Sequence, residues 1–319
     1  MKRRTILRTL AAALVLAAGT APAAWPDRPV KILVPFPAGG ASDATARALG
    51  QTLAKRLGQP VIIDNRPGAS GGLAPQAAMA AAPDGYTILW ASASMVGLPL
   101  LLKKPPYGAM TDMAPVAAVG RLPFCPFVHP AVPAKTLPEF RAEARKNPGT
   151  LNLASGSVSE LMAGTLLDTA TGARMQHIPY KGGPQIMPDL VAGRVQVNIG
   201  PCSTGMPFVK SGKLRVLATL LPARSALLPD VPTATEAGMP ELSAPTWQAL
   251  LAPPRTPKDI VGKLAQAVAE ALRDPETLAQ FEKIGVLAEF AGPAALEARI
   301  REESPAWGRF VKQNGIEPE

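Results

Sequence analysis

Apolar residues along this chain fall into short runs, each followed by a glycine-bearing turn and then by a stretch with helical spacing. Val30, Ile32, Leu33 and Val34 form the first run, 35–40 interrupt it, and Ala46, Leu49, Leu53 and Leu57 then recur on one helical face, with Ser42 or Asp43 placed to cap it. The pattern predicts a buried strand, a glycine turn and a helix. It repeats at once, with a second strand at 60–63, a second glycine loop at 65–72, a second helix at 73–81 and a third strand at 86–91 closing in Ser92-Ala93-Ser94. Strands joined by short helical links predict right-handed crossovers and a parallel sheet, with all three loops opening at the carboxyl ends of their strands.

A proline-rich passage at 122–138 breaks the rhythm, and the same alternation then restarts. The run 151–154 reads as a strand, 155–159 as a small polar loop and 160–171 as a helix. A strand at 175–179 leads into Tyr180-Lys181-Gly182-Gly183 and another helix, 195–199 leads into Gly200-Pro201, and 214–219 is a further strand. The chain is therefore α/β, with a second domain built like the first. Its last part reads as a strand at 247–252 and three helices, 257–272, 275–284 and 293–313, each starting near a proline, which a first helical turn tolerates.

Composition changes this picture at the N-terminus. Lys2, Arg3, Arg4 and Arg8 precede a short apolar core at 10–18 and Ala21-Pro22-Ala23, which fits a cleavage site, so 1–23 reads as an export signal and the mature chain as periplasmic. The core is too short to span a bilayer. Removing four basic residues takes the formal net charge from +9 to +5, without the dense basic runs of nucleic-acid binding. Two cysteines, Cys125 and Cys202, do not make a disulfide framework and read as small buried thiols. His129 and His177 are the only histidines, which leaves almost nothing from which to build a metal site or a histidine-based triad.

Two readings of Gly39-Gly40 stand at this point. The pair either lets a small anion reach the first N–H groups of the following helix, or relieves crowding where strand turns into helix. Ser155, Ser157 and Ser159 lack the G-x-S-x-G elbow and an S-x-x-K partner, so they read as pocket hydroxyls or helix caps rather than nucleophiles. No glycine pattern fits a nucleotide loop, and no cofactor is expected. Lys181 is either a charge for an anionic ligand or a solvated loop lysine; Trp247 is either core or a reporter between domains.

Assembled, these loops resemble the Bug family, the extracytoplasmic solute receptors of tripartite tricarboxylate transporters. The similarity lies in Trp25-Pro26-Asp27-Arg28-Pro29-Val30, in Pro35-Phe36-Pro37-Ala38-Gly39-Gly40 with Asp43 and Arg47, in Asn65-Arg66-Pro67-Gly68-Ala69, in Ala82-Pro83-Asp84-Gly85-Tyr86-Thr87, in His177-Ile178-Pro179-Tyr180-Lys181-Gly182, and in Leu228-Pro229-Asp230-Val231-Pro232-Thr233. The resemblance implies a type II periplasmic-binding fold: two α/β domains, 25–124 with 246–319 and 125–245, around a ligand cleft, with hinge crossings near 124–128 and 245–247. It implies a monomeric, non-enzymatic receptor that captures a small mono-, di- or tricarboxylate and delivers it to integral-membrane permease subunits; the alternatives are a sensor feeding a membrane kinase and an α/β hydrolase using a loop serine. The ligand residues it implies are Phe36, Ala38, Gly39, Gly40, Ser42, Asp43, Ala69, Ser70, Gly71 and Ser92 in the first domain and Ser155, Ser157, Tyr180 and Lys181 in the second. Two departures stand out. Gly200-Pro201 replaces an aspartate common in the family, and Glu160 stands where a neutral residue is common; Glu160 either takes the place of that acid or faces solvent at the helix start, and the second is the expectation.

Overall fold

The computed structural model describes residues 25–221, 223–224, 228–242 and 246–318; the expected export signal and Pro245 of the expected second crossing lie outside them. Two sheets organise the chain. In the first, β1 (Val30–Val34) runs parallel to both β2 (Val61–Asn65) and β3 (Thr87–Ser92), with Val30 opposite Val61 and Lys31 opposite Thr87. β1 lies between its two partners, and Ile32 and Val34 are sealed from solvent, which is why its apolar run shows no alternation. Helix α1 (Ala41–Leu57) connects β1 to β2 and buries Ala46, Leu49 and Leu53 against the sheet. α2 (Leu73–Met79) connects β2 to β3, and the short α3 (Ser94–Gly97) follows β3.

The sheet continues past β3 with strands from distant parts of the chain. β4 (Ala114–Arg121), β10 (Trp247–Ala252) and β11 (Leu287–Ala291) extend it in the order β11-β4-β10-β3-β1-β2, with β10 antiparallel to both β3 and β4. Every residue of β10 is buried, so this late strand is a central one. The three closing helices are α8 (Lys258–Ala271), α9 (Pro275–Ile284) and α10 (Pro293–Gln313), within a residue or two of the expected bounds; α8 and α9 pack against α1, and α10 covers β4. The sequence pattern gave no sign of β4, whose Ala, Pro and Gly content is weakly strand-forming, or of β11 between the last two helices.

The second sheet has the order β7-β6-β8-β5-β9. β6 (Asn152–Ser155) is parallel to β7 (Gln176–Pro179) and β8 (Val197–Pro201), whereas β5 (Phe124–Val128) is antiparallel to β8 and to β9 (Arg215–Val216). Its helices are α4 (Leu137–Lys146), capped by Thr136, and α5 (Val158–Thr171), α6 (Gly183–Val191) and α7 (Cys202–Lys210), which follow β6, β7 and β8.

Chain passes between the sheets twice. Leu122 and Pro123 carry it out, so the stretch 124–128 expected at the first crossing is itself a strand of the second sheet; the return enters β10 through Thr246. The two crossings lie side by side, with the Leu122 N–H donating to the Thr246 carbonyl at 2.9 Å. Cys125 of β5 and Cys202 at the start of α7 form a disulfide with a Cα separation of 5.0 Å, which corrects the expectation of two thiols. A separation of 77 residues in sequence hid a pairing that the β5–β8 register makes close.

Candidate ligand-binding site

The loop after β1 is held from behind by one buried carboxylate. Asp43 Oδ2 accepts from the Gly39 N–H at 2.9 Å and from Arg47 Nε at 3.1 Å, while Oδ1 accepts from Asn65 Nδ2 at 2.9 Å and lies 2.9 Å from Arg47 Nη2. Asn65 also donates to the Phe36 carbonyl at 3.0 Å. Burial pushes the Asp43 carboxyl up, but hydrogen bonds from Arg47, Gly39 and Asn65 outweigh it and hold it below the ordinary carboxylate range. Gly39 supplies the turn with φ at 81°, a left-handed conformation that a side chain resists. The result presents the free N-terminus of α1, capped by no side chain, toward the space between the two sheets.

That space is a cavity of about 60 Å³ open to the centre of a water molecule. Phe36, Pro37, Gly40, Ala41 and Ser42 line it from the α1 side, with Ser92, Ala93 and Ser94 from the β3–α3 turn and Trp247 and Gln248 from β10. Facing them are Gly156, Ser157, Ser159 and Glu160 at the start of α5, Gly182, Gly183 and Pro184 at the start of α6, and Pro201 and Thr204 at the start of α7. Leu122, Phe124 and Thr246 close it at the crossings. Helices of seventeen, fourteen, nine and nine residues thus aim their N-termini at one small volume. No side chain caps α1, whereas the Glu160 N–H of α5 donates to Ser157, the Cys202 N–H of α7 donates to the Pro123 carbonyl at 2.8 Å and Pro184 of α6 has no N–H; each end still carries roughly half a positive charge, so together they favour an anion. No lysine or arginine lines the cavity among the described residues.

Lobe contacts show the cleft closed. A Cβ built on Gly182 would sit 3.0 Å from Pro37 Cδ, and one on Gly40 would lie 3.7 Å from Pro184 Cγ, so the two lobes meet glycine against proline ring; within the second lobe a Cβ on Gly156 would fall 2.6 Å from the Gly182 backbone. A wider groove of about 610 Å³ lies behind the crossings, lined by Pro123, Met206, Lys210, Leu228 and Lys283 among others, with only the α7 start in reach.

One buried carboxyl lines the cavity and a half-buried one stands behind its wall. Glu160 is 4% exposed, contrary to the solvent-facing place expected of it. Ser157 caps α5 by accepting from the Glu160 N–H at 3.2 Å, and Glu160 Oε2 accepts in return from the Gly156 N–H at 2.8 Å and from Asn198 Nδ2 at 3.4 Å. Burial drives the Glu160 carboxyl up to about 7, and these hydrogen bonds counter it only in part. Glu303 lies behind Trp247, accepting from the indole N–H at 2.8 Å with both oxygens; burial raises it to about 7 as well. Gln248, 2% exposed, donates through Nε2 to Ser42 Oγ at 2.7 Å, and its Oε1 has no partner.

Of the residues named in sequence, Phe36, Gly40, Ser42, Ser92 and Ser157 line the cavity. Ser70, Ser155 and Tyr180 line a neighbouring compartment that shares Gly156 and Ser157 with it. There Ser155 Oγ lies 2.7 Å from His177 Nε2, and Tyr180 Oη donates to Asp189 at 2.7 Å. Asp43 lies behind the loop, Gly71 is buried near Phe36, and Ala38, Gly39, Ala69 and Lys181 are exposed. Gln248, Thr204, Pro184 and Glu160 are cavity residues that the motif reading did not select. A glutamine inside the otherwise apolar Trp247-Gln248-Ala249-Leu250-Leu251-Ala252 was the available signal, since a buried strand carries a polar side chain only where it has a partner. Among the described residues no His, Cys, Asp and Glu group suits a metal, and no helix is long and apolar enough to cross a membrane.

Two α/β lobes, paired crossings and a closed cleft at converging helix N-termini define a two-domain α/β binding protein. The chain belongs to the tripartite tricarboxylate transporter family receptors, whose family model matches residues 45–316. It is 36% identical over 297 residues to Protein BugT of Bordetella pertussis (strain Tohama I), covering 91% of this chain and 90% of that one. The structure of R. palustris Rpa4515 with adipate superposes with a TM-score of 0.87 at 30% identity, covering 92% of this chain and all of that one, 100%. MatC from Rhodopseudomonas palustris with bound malate gives 0.83 at 30% identity over 90% of this chain and 100% of that one.

Proposed function

We propose that the protein is a monomeric periplasmic receptor that captures a small carboxylate-bearing organic acid in this cleft and delivers it to integral-membrane permease subunits of a tripartite tricarboxylate-type transporter. The observation that carries the reading is the convergence of four helix N-termini, from both lobes, on a cavity without a cationic side chain. A carboxylate is the common anion that such an array holds through N–H groups and small hydroxyls alone. The mechanism is binding rather than catalysis. An acid that touches both lobes only when Pro37 approaches Gly182 draws an open–closed equilibrium toward the closed form, and the permease reads the closed form. Hinge motion is centred on the paired crossings at Leu122 and Thr246, with 25–121 and 247–319 moving against 124–245; the expected boundary after 124 shifts because Phe124 already pairs in β5.

Adipate and malate, found with two relatives, make dicarboxylates the first ligands to try. A thermal-shift screen of the mature chain against mono-, di- and tricarboxylates tests the reading. Ligand at about a hundredfold excess over its Kd adds about 2.7 kcal/mol and raises Tm by several degrees. If no acid moves the melting curve, the receptor reading fails. Ser155 beside His177 keeps a hydrolase as the second reading, and turnover of small esters that His177→Ala abolishes would establish it.

A further inference from the structure

Among the described residues, one ionisable side chain lines the cavity, that of Glu160. Glu160 sits where four positive helix ends converge, yet no lysine, arginine or histidine lines the same space. The titratable groups on β7, α1 and α10 are engaged elsewhere; on α4, which packs against α5, Arg145 donates to the Thr171 carbonyl at the other end of α5, and Lys181 beside Gly182 is exposed and does not line the cavity. His177 and Tyr180, on and just after β7, face the neighbouring compartment, where His177 meets Ser155 and Tyr180 meets Asp189. Asp43 on α1 is paired with Arg47 behind the loop, and Glu303 on α10 is held by the Trp247 indole. β8 offers the neutral Asn198 and Gly200; a Cβ on Gly200 would lie 3.6 Å from Glu160 Oε1. α6 and α7 present Gly183, Pro184 and Thr204.

An anion entering this space meets Glu160 with no counter-charge between them. Two negative charges in one small, largely enclosed cavity repel by several kcal/mol, and the cheaper state is one in which the glutamic acid is neutral. Its Oε2 already accepts from Gly156 and Asn198, so Oε1 is the oxygen left to bear the proton. A protonated carboxyl is a strong donor at short range, and a carboxylate oxygen is its natural acceptor. A second feature points the same way: Gln248 Oε1, buried across the cavity with no partner, is an acceptor that a hydroxyl or a bound water would satisfy.

Resting on the receptor reading above, we propose that Glu160 enters the loaded cleft as the neutral acid and donates its proton in a hydrogen bond to a ligand carboxylate, so that capture of the acid takes up one proton. No bond is made or broken apart from the transfer of that proton from solvent to Glu160. The ordinary unliganded carboxyl is poised for this exchange, because burial already brings it to about 7. In this chain the second lobe therefore selects acids by what they accept, and disfavours an α-ammonium group, which offers only donors to a donor.

Calorimetric titration of the mature protein with malate and with adipate, at pH 6, 7, 8 and 9 and in buffers of different ionisation enthalpy, tests this. The expected result is uptake of about one proton per ligand at pH 8, with affinity falling about tenfold per pH unit above 7 and levelling below it. Glu160→Gln, whose amide N–H replaces the acid's donor, should bind at pH 8 at least as tightly as the wild type and lose the slope. Binding with no proton uptake by the wild-type protein overturns the proposal and leaves the receptor intact, whether or not the variant folds. Tight binding of glutamate or aspartate that Glu160→Gln destroys overturns it too, because Glu160 would then be an ionised acceptor. Failure of every carboxylate to bind wild type and variant alike overturns the receptor reading, and this proposal with it.

Discussion

The two walls of the cleft each place a buried acid near the start of a helix, and treat it in opposite ways. On the first wall Asp43 points away from the cavity and is neutralised by Arg47, Asn65 and the Gly39 N–H. On the second, Glu160 lines the cavity itself and has only a backbone N–H and an amide for partners. The first acid is structural: it shapes the 36–43 loop so that α1 offers bare N–H groups. The second acid lines the cavity proposed for the ligand. A fixed anion grip on one side and a proton-sensitive face on the other divide the work of holding a carboxylate from that of choosing one.

Breaking the first wall should have the largest effect. Asp43→Ala removes the acceptor shared by Arg47, Asn65 and the Gly39 N–H; Arg47 is half exposed and keeps the Asn65 side-chain carbonyl, so the expected loss is about 1.5–3 kcal/mol in urea denaturation, together with loss of ligand binding as the loop loosens. On the second wall the sign is reversed. Glu160 is raised from 4.5 to about 7 in the folded chain, so its contribution to stability is full below 4.5 and is lost as pH climbs through 7. Glu160→Gln should accordingly stabilise the unliganded protein at pH 8, by roughly 3 kcal/mol at most, and change it little at pH 4. Denaturation midpoints at both pH values check this, and equal effects at both would remove the asymmetry between the walls.

The closing contact comes next. Gly182→Val puts methyl groups where Pro37 lands while leaving Gly182's extended backbone undisturbed, so binding should weaken about a hundredfold, or roughly 2.7 kcal/mol, with the melting point of the unliganded chain unchanged. Smallest is Gln248→Leu, which removes the hydrogen bond to Ser42 and a buried acceptor in the cavity wall; about a tenfold loss of affinity is expected by calorimetry.

The same comparison shows what a sequence can disclose. β1, the glycine turn and α1 were legible because their signals are local: an unbroken apolar run, a left-handed Gly39, and helical spacing. The strand and helix around Ser155–Ser157 were legible for the same reason. β10 could be read as a strand, but its place between β3 and β4 depends on pairing across more than a hundred residues, which no window of sequence contains. The Cys125–Cys202 bond was hidden in the same way. Glu160 was misplaced because Ser157-Val158-Ser159-Glu160 is a good capping pattern, and such a glutamate ordinarily stands in water. Here β8 and the facing lobe cover it, a fact of tertiary packing alone. Asp43 shows the converse: the motif that marked it for the ligand marks a residue that builds the loop instead of lining the cavity.

On the proposed reading, helix N-termini hold a carboxylate between these walls without a cationic side chain. Calorimetric titration of the mature protein with a dicarboxylate and with its neutral diamide at the same pH tests it most directly. The account predicts measurable binding of the acid, and binding of the diamide at least about a hundredfold weaker, a difference of about 2.7 kcal/mol. Equal affinity for acid and amide would contradict it.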